Sequence, residues 1–146
     1  ATSDGLSSLY SRILEHDRGG SRRRPPLLDR LELWSESRNP WKRRQSLVPL
    51  LYYSSVRDRS RILPFRRLIG FVESRLEDPH YYVQKGVGWT VREIQNVYPE
   101  ETFRWLRKNV VRISAAAWQA STEKLPAARK SELKSIRNEA RRARKA

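Results

Sequence analysis

The stretch that decides the fold of this chain is DPHYYVQKGVGWTVREIQNVYP, residues 78–99. Asp78-Pro79 is a helix-start signal, because a short acidic side chain caps the first turn and proline is tolerated at the first helical position. The side chains of Tyr82, Lys85, Trp89 and Arg92 then recur at i, i+3, i+7 and i+10, which is one face of a helix. The stretch predicts a helix from Asp78-Pro79 to about Val97.

The face of this helix alternates aromatic and basic residues, which is poor core material, because a buried Lys or Arg must reach back to water. It suits a surface where cations bind phosphate and an aromatic ring meets a base or sugar. Gly86 and Gly88 each cost about 1 kcal/mol relative to alanine inside a helix. That cost is explained if another backbone, of protein or DNA, comes close. The alternative is that Trp89 belongs to the core and the glycines admit a neighbouring helix.

Other segments carry the same helical signals, and none shows the period-2 alternation of a strand. The segment from Asp17 to Pro26, rich in Gly and Arg, is predicted to be a loop. The sequence predicts an all-α chain of about eight helices, over Thr2 to about His16, Leu27–Ser37, Asn39-Pro40 to about Val56 with a kink at Pro49, about Arg61–Leu76 with Pro64 inside its first turns, Asp78-Pro79 to about Val97, Pro99 to about Lys108, Ile113–Leu125, and Ala127 to the end.

A short internal repeat relates two of these helices. Trp41-x-x-Arg44 follows Asn39-Pro40 as Tyr82-x-x-Lys85 follows Asp78-Pro79, and the offset of 41 residues lies in the range of HEAT repeats. Stacked helix pairs form a superhelix with a concave face, which fits a duplex. The run Lys42-Arg43-Arg44 opposes the helix dipole unless an anion binds, and Arg44 shares a stripe with Trp41. Arg44 is therefore the favoured phosphate contact, while Arg43 is expected to be partly at the surface.

The composition points to a polyanionic partner. The chain has 146 residues, with 31 Lys and Arg against 16 Asp and Glu, so its formal net charge is +15. Nucleic acid is the favoured partner, because each neutralised phosphate releases counterions, and a ribosome-bound or membrane-surface protein is the alternative. Residues 126–146 are the most basic and are predicted to form a docked helix whose frayed end, Arg141 to Lys145, adds only non-specific charge. The length fits a single domain over residues 1–146.

Several classes of function are excluded or disfavoured by what the sequence lacks. Without cysteine there is no disulfide, thiolate metal site or thiol nucleophile, and His16 and His80 are the only histidines. We therefore expect no metal, and no 18-residue apolar run predicts a membrane span. A cytoplasmic or otherwise intracellular setting is expected. Because methionine is absent, we expect that residue 1 is not the natural start. Among the acidic residues, Asp78 is best explained as a cap, whereas Asp4 caps the first helix or points into the concave face.

The segment Val83-Gln84-Lys85-Gly86-Val87-Gly88-Trp89-x-x-Arg92-Glu93 resembles the DNA alkylation repair (AlkD-like) family. The start Ser3-Asp4-x-Leu6-Ser7-x-Leu9-Tyr10 and the segment Trp41-x-x-Arg44 are similar to the same family, so the resemblance spans nearly the whole chain. It implies an all-α solenoid of HEAT-like repeats that holds DNA in a concave basic groove. Because the family is longer at its N-terminus, the resemblance also implies that this chain is a C-terminal portion.

Active members of the family are alkylpurine DNA glycosylases that act on cationic lesions such as 3-methyladenine and 7-methylguanine. The resemblance implies that Trp89 lines the lesion site, that Arg44 contacts the DNA backbone, and that Asp4 is the catalytic aspartate. The family pattern also has a tryptophan four residues before that aspartate, a position that falls before residue 1.

The site predicted in this way has Asp4 and Trp89 as catalytic residues. The predicted DNA contacts are Arg44, Lys85, Trp41, Arg43, Tyr82 and Arg92. The expected protein is a monomer that binds alkylated double-stranded DNA and needs no cofactor. The alternatives are a non-catalytic helical DNA-binding or scaffold module, which would bind DNA with a steep salt dependence and release no base, and an RNA- or ribosome-associated factor.

Overall fold

The computed structural model describes residues 2–16, 26–50 and 57–146, and within these ranges every regular element is helical. A short 3₁₀ helix covers Arg59–Arg61. The eight α-helices whose two ends are described are α1 (Thr2–His16), α2 (Pro26–Ser35), α3 (Pro40–Gln45), α4 (Phe65–Glu73), α5 (Tyr81–Ile94), α6 (Pro99–Asn109), α7 (Ala115–Thr122) and α8 (Ala127–Ala143). The prediction of an all-α chain with helical-repeat architecture is confirmed.

Helix α5 is the centre of the fold. It packs most extensively against α7 and also contacts α3, α4 and α6. Its inner face is apolar, with Val83, Val87, Val91 and Ile94 at helical spacing and almost fully buried. These side chains join one continuous core with leucines from α2, α4 and α6. The opposite stripe of α5 is therefore left at the surface between α3 and α7, where the candidate site forms.

A glycine sets the distance between α5 and α7. A Cβ atom added at Gly88 would lie 2.5 Å from the backbone oxygen of Ala117 and 2.8 Å from its Cα. No side chain fits at this separation, because a backbone cannot move aside as the tip of a side chain can. Gly88 thus admits a neighbouring helix, as the structural alternative for the two glycines predicted, and α7 lies directly against α5.

The two cap-plus-proline signals have different outcomes. The first is confirmed, because Asn39 is the N-cap of α3 and its side chain accepts a hydrogen bond from the backbone N–H of Trp41 at 2.9 Å. The second is wrong. Helix α5 begins at Tyr81 with His80 as its N-cap, and the Asp78 carboxylate accepts bonds from Arg43 and from the backbone N–H of His80 instead. Asp78 therefore forms the turn that precedes the helix.

Two proline expectations also need correction. Helix α3 ends at Gln45, and residues 46–48 form a turn before helical backbone resumes at Pro49, so Pro49 follows a break and does not kink a continuous helix. Pro64 lies outside α4 as its N-cap, with φ −56° and ψ 148°. The physical reason is the same at both sites: a proline ring disfavours helical backbone at the residue before it, so a helix starts at or after the proline. The predicted loop at 17–25 and the predicted helix over 51–56 lie outside the described residues.

The basic C-terminal segment is an ordered helix through Ala143. Leu133 of α8 is fully buried and Ile136 packs against the core. Arg137 is also buried, and its guanidinium donates hydrogen bonds to the backbone oxygens of Val110 and Ile113. Burial, together with the nearby charge of Arg141, lowers the pKa of Arg137 to about 10. Arg137 thus fastens α8 to the end of α6, where a cation is favoured by the helix dipole.

None of the helices in the described ranges is both long enough and apolar enough to span a bilayer.

Candidate nucleic-acid interface

A trough of about 660 Å³ runs over the exposed side of α5, between α3 and α7. We call it the α5 trough. It brings together five of the residues that the sequence singled out, which come from two helices. Its lining side chains include Arg44, Tyr82, Lys85, Trp89, Arg92, Gln119, Glu123 and Lys130. The stripe on α5 therefore faces an open space, and the Arg44 side chain of α3 reaches the same space.

Trp89 forms the middle of the trough wall and is partly buried. The guanidinium carbon of Arg44 lies 6.0 Å from the centre of its ring system, and that of Arg92 lies 5.9 Å from it. Both separations are at the outer limit of a cation–π contact. Trp89 is therefore neither enclosed by the core nor isolated at the surface, because it lies between two cationic groups at the edge of an open trough.

Arg44 is held in place by α5. Only 9% of its surface is exposed, and its Nη1 donates a hydrogen bond to the backbone oxygen of Tyr82 at 3.3 Å. Its stem runs over Gly86, where an added Cβ would lie 3.6 Å from the Arg44 Cγ. The sequence predicted a phosphate contact at Arg44, and the structure adds that this cation is fixed in orientation before any ligand binds.

The charges on either side of Trp89 differ. Lys85, one turn before it, is exposed, with its Nζ 5.7 Å from the ring centre of Tyr81 and no ion pair within the described ranges. Arg92, one turn after it, bonds to Glu93 at 3.0 Å and to Glu123 at 2.7 Å. Burial alone would lower the pKa of Arg92, but these two carboxylates raise it above its ordinary value. The cation at the Lys85 end of the trough is therefore unpaired among the described residues, whereas Arg92 at the other end is paired with two carboxylates.

An aromatic edge, formed by Trp41, His80, Tyr81 and Tyr82, lies at the Lys85 end of the trough. Trp41 and Tyr82 stack with ring centres 5.3 Å apart and an angle of 29° between the planes, and each is about half exposed. Trp41 is the second residue of α3 and Tyr82 the second residue of α5, so equivalent positions of the internal repeat lie side by side in the structure. Exposed stacked rings of this kind present faces that suit bases.

Arg43 is held outside the trough. Its guanidinium forms two hydrogen bonds with the Asp78 carboxylate, at 2.6 and 3.2 Å, and donates to the backbone oxygens of Ser37 and Arg38. Burial by itself would raise the pKa of Asp78, but Arg43, the His80 N–H and Arg75 lower it below its ordinary value. Arg43 therefore links α3 to the turn before α5, a role that the sequence reading did not predict.

Two further observations concern the chemistry of the site. The backbone of Asp4 lies in the first turn of α1, and its side chain is outside the described residues. Across the described part of the chain, no three His, Asp or Glu side chains are grouped so that they could bind a metal ion. Sequence reasoning missed Glu123 and Lys130 as trough residues, because no local pattern relates them to α5.

The model of the DNA alkylation repair enzyme family matches residues 1–125 of the chain. The match covers most of the sequence, and the chain belongs to this family. The resemblance drawn from the Trp89 helix is confirmed, and membership supports a role in DNA repair. Helix α8 begins two residues beyond the matched region. No curated protein and no solved structure gives a significant match.

Proposed function

We propose that this protein binds duplex DNA in the α5 trough and hydrolyses the N-glycosidic bond of cationic alkylpurines such as 3-methyladenine and 7-methylguanine. The observation that carries the proposal is the position of Trp89, which is partly buried between Arg44 and the acid-paired Arg92 in one open trough. Family membership supplies the link to alkylated DNA.

The distribution of charge suits a cationic base beside anionic phosphates. Arg44 and Lys85 present positive charge on one side of Trp89, where the phosphates flanking a lesion would bind and fix the register of the duplex. At the other side, the carboxylates of Glu93 and Glu123 pair with Arg92, which partly neutralises the positive charge that a cationic purine would meet there. The indole face of Trp89 favours such a cation by about 0.5–2 kcal/mol.

The reaction requires little from the protein. An alkylated purine already carries a positive charge, so the bond from its ring nitrogen to the sugar C1′ breaks to release a neutral base. The C1′ centre becomes oxocarbenium-like, and water adds to it with loss of a proton, which leaves an abasic site. A carboxylate close to the sugar stabilises that developing charge, as in glycosidases. The family resemblance assigns this role to Asp4, and the chemistry uses no metal or organic cofactor.

The decisive experiment measures release of free base from duplex DNA that contains 7-methylguanine. We expect release by the wild-type protein and a loss of about 100-fold or more in Asp4→Asn, which keeps the size of the side chain and removes its charge. Asp29→Asn, the same change at an exposed position of α2, is the matched control and is expected to retain the wild-type rate.

Two outcomes would contradict the proposal in different ways. Equal release by the wild-type protein and Asp4→Asn would remove Asp4 from the mechanism. Salt-dependent binding of the duplex without any release by the wild-type protein would instead identify a non-catalytic DNA-binding module.

A further inference from the structure

Helix α8 carries two kinds of cation, which differ in what they contact. In the first kind, Arg137 is buried against backbone oxygens, and Arg129 bonds to Glu100 at 2.6 Å with its guanidinium 4.6 Å from the Phe103 ring centre. Those cations dock the helix onto α6. The region matched by the family model ends at residue 125, so the whole of α8 lies beyond it.

A second set of cations on α8 makes none of these contacts. Lys130, Lys134 and Arg141 are exposed, and in the described ranges none of them forms an ion pair. At 100° per residue, their side chains project within about 40° of one another around the helix axis. We call this set the α8 stripe. It runs over eleven helical steps from Lys130 to Arg141, or about 16 Å along the helix.

The α8 stripe continues the α5 trough. Lys130 is itself a lining residue of the trough, together with Gln119 and Glu123. Because Lys134 and Arg141 share its side of the helix, the positive surface extends from Lys130 along α8. A straight row of three unpaired cations matches a ligand with regularly spaced negative charges.

We propose that the α8 stripe binds the phosphate backbone of the same DNA duplex, outside the lesion site. Its length corresponds to about five base pairs, since phosphates on one strand are spaced by about 3.4 Å along the duplex axis. The inference rests on the proposed function, because duplex DNA in the trough is what brings a backbone to Lys130. It gives Arg141 a specific role in place of the non-specific charge that the sequence suggested for Arg141 to Lys145.

The test compares two triple variants of the full chain that remove the same number of charges. The stripe variant is Lys130→Gln, Lys134→Gln and Arg141→Gln. The control variant is Arg66→Gln, Arg104→Gln and Lys108→Gln, at exposed positions on α4 and α6 that do not line the trough. Binding of a fluorescent duplex of about 30 base pairs is measured by anisotropy between 50 and 200 mM salt, with circular dichroism to verify that each variant is folded.

The stripe variant is expected to lose about 2.7 from the slope of log affinity against log salt, because each phosphate contact contributes about 0.9. Over the fourfold change in salt, the affinity of the wild-type protein should therefore fall about 40-fold more than that of the stripe variant. The control variant should keep the wild-type slope.

A stripe variant whose slope equals that of the wild-type protein, or an equal loss in both variants, would overturn the inference. Base release by the wild-type protein in the same buffers tests the proposed function separately. Release together with an unchanged stripe slope overturns only the role of α8, whereas a wild-type protein that does not bind the duplex overturns both proposals.

Discussion

Replacing Gly88 with alanine tests the contact that forms one wall of the trough. The added methyl would lie 2.5 Å from the Ala117 backbone oxygen, so α7 must move away from α5. Alanine contributes about 1 kcal/mol through helix propensity, but overpacking against backbone costs about 3 kcal/mol. We expect a net loss of about 2 kcal/mol in the free energy of unfolding.

Gly86→Ala is the matched control, because it is the same change two residues away on the same helix. The nearest atom to its added methyl, Arg44 Nη1, would be 3.5 Å away, which is ordinary van der Waals contact. We expect Gly86→Ala to gain up to about 1 kcal/mol from helix propensity. The two variants should then differ by about 3 kcal/mol, or about 10 °C in Tm for a chain of this length.

Thermal unfolding followed by far-UV circular dichroism, with urea unfolding at 25 °C, measures both variants. If Gly88→Ala were as stable as the wild-type protein, the close approach of α5 and α7 would not exist as described. If Gly86→Ala were the more damaging of the two, the reasoning from space around each glycine would be refuted.

Two further predictions concern the ionic contacts that hold the frame. Asp78→Asn should destabilise the protein by about 2 kcal/mol at pH 7, because Arg43 loses a charged partner; equal stability of the two proteins at pH 7 would contradict this. Since the pKa of Asp78 in the folded protein is below its ordinary 3.8, the stabilisation is complete above pH 3.8 and is lost as the pH falls through the lowered pKa. In urea unfolding, the stability of the variant should therefore fall less steeply at acid pH than that of the wild-type protein. Arg137→Met should speed hydrogen exchange throughout α8 and lower the free energy of unfolding by about 1–3 kcal/mol, because two backbone oxygens lose their donor. Unchanged protection of the α8 amides from exchange would show that the apolar side chains alone hold the helix in place.

Much of the fold follows from local signals. The start of α6 at Pro99 and the capping of α3 by Asn39 are confirmed because caps and helical hydrogen bonds involve residues close in sequence. The boundary at Asp78 is wrong for the opposite reason. Its carboxylate is taken by Arg43, 35 residues away, and no local pattern encodes that competition.

Of the candidate site, the sequence predicted mainly the row of aromatic and basic side chains on one face of α5. The spacing of Lys85, Trp89 and Arg92 on one helical face required nothing beyond the period of the helix. The acid that balances Arg92 was not visible in the sequence, because Glu123 lies 31 residues away and reaches it only when α7 packs on α5.

By itself, then, the sequence determined which segments are helical, which side chains share a face, and that the chain carries a net charge of +15. Only the tertiary structure decided which cations line the trough. Arg43 and Arg44 are neighbours in sequence, yet one is bound to Asp78 and the other lies over Trp89 in the trough. The physical reason is that an ion pair depends on where packed helices place its two groups, and that placement is set by contacts such as Gly88 against Ala117 between distant parts of the chain.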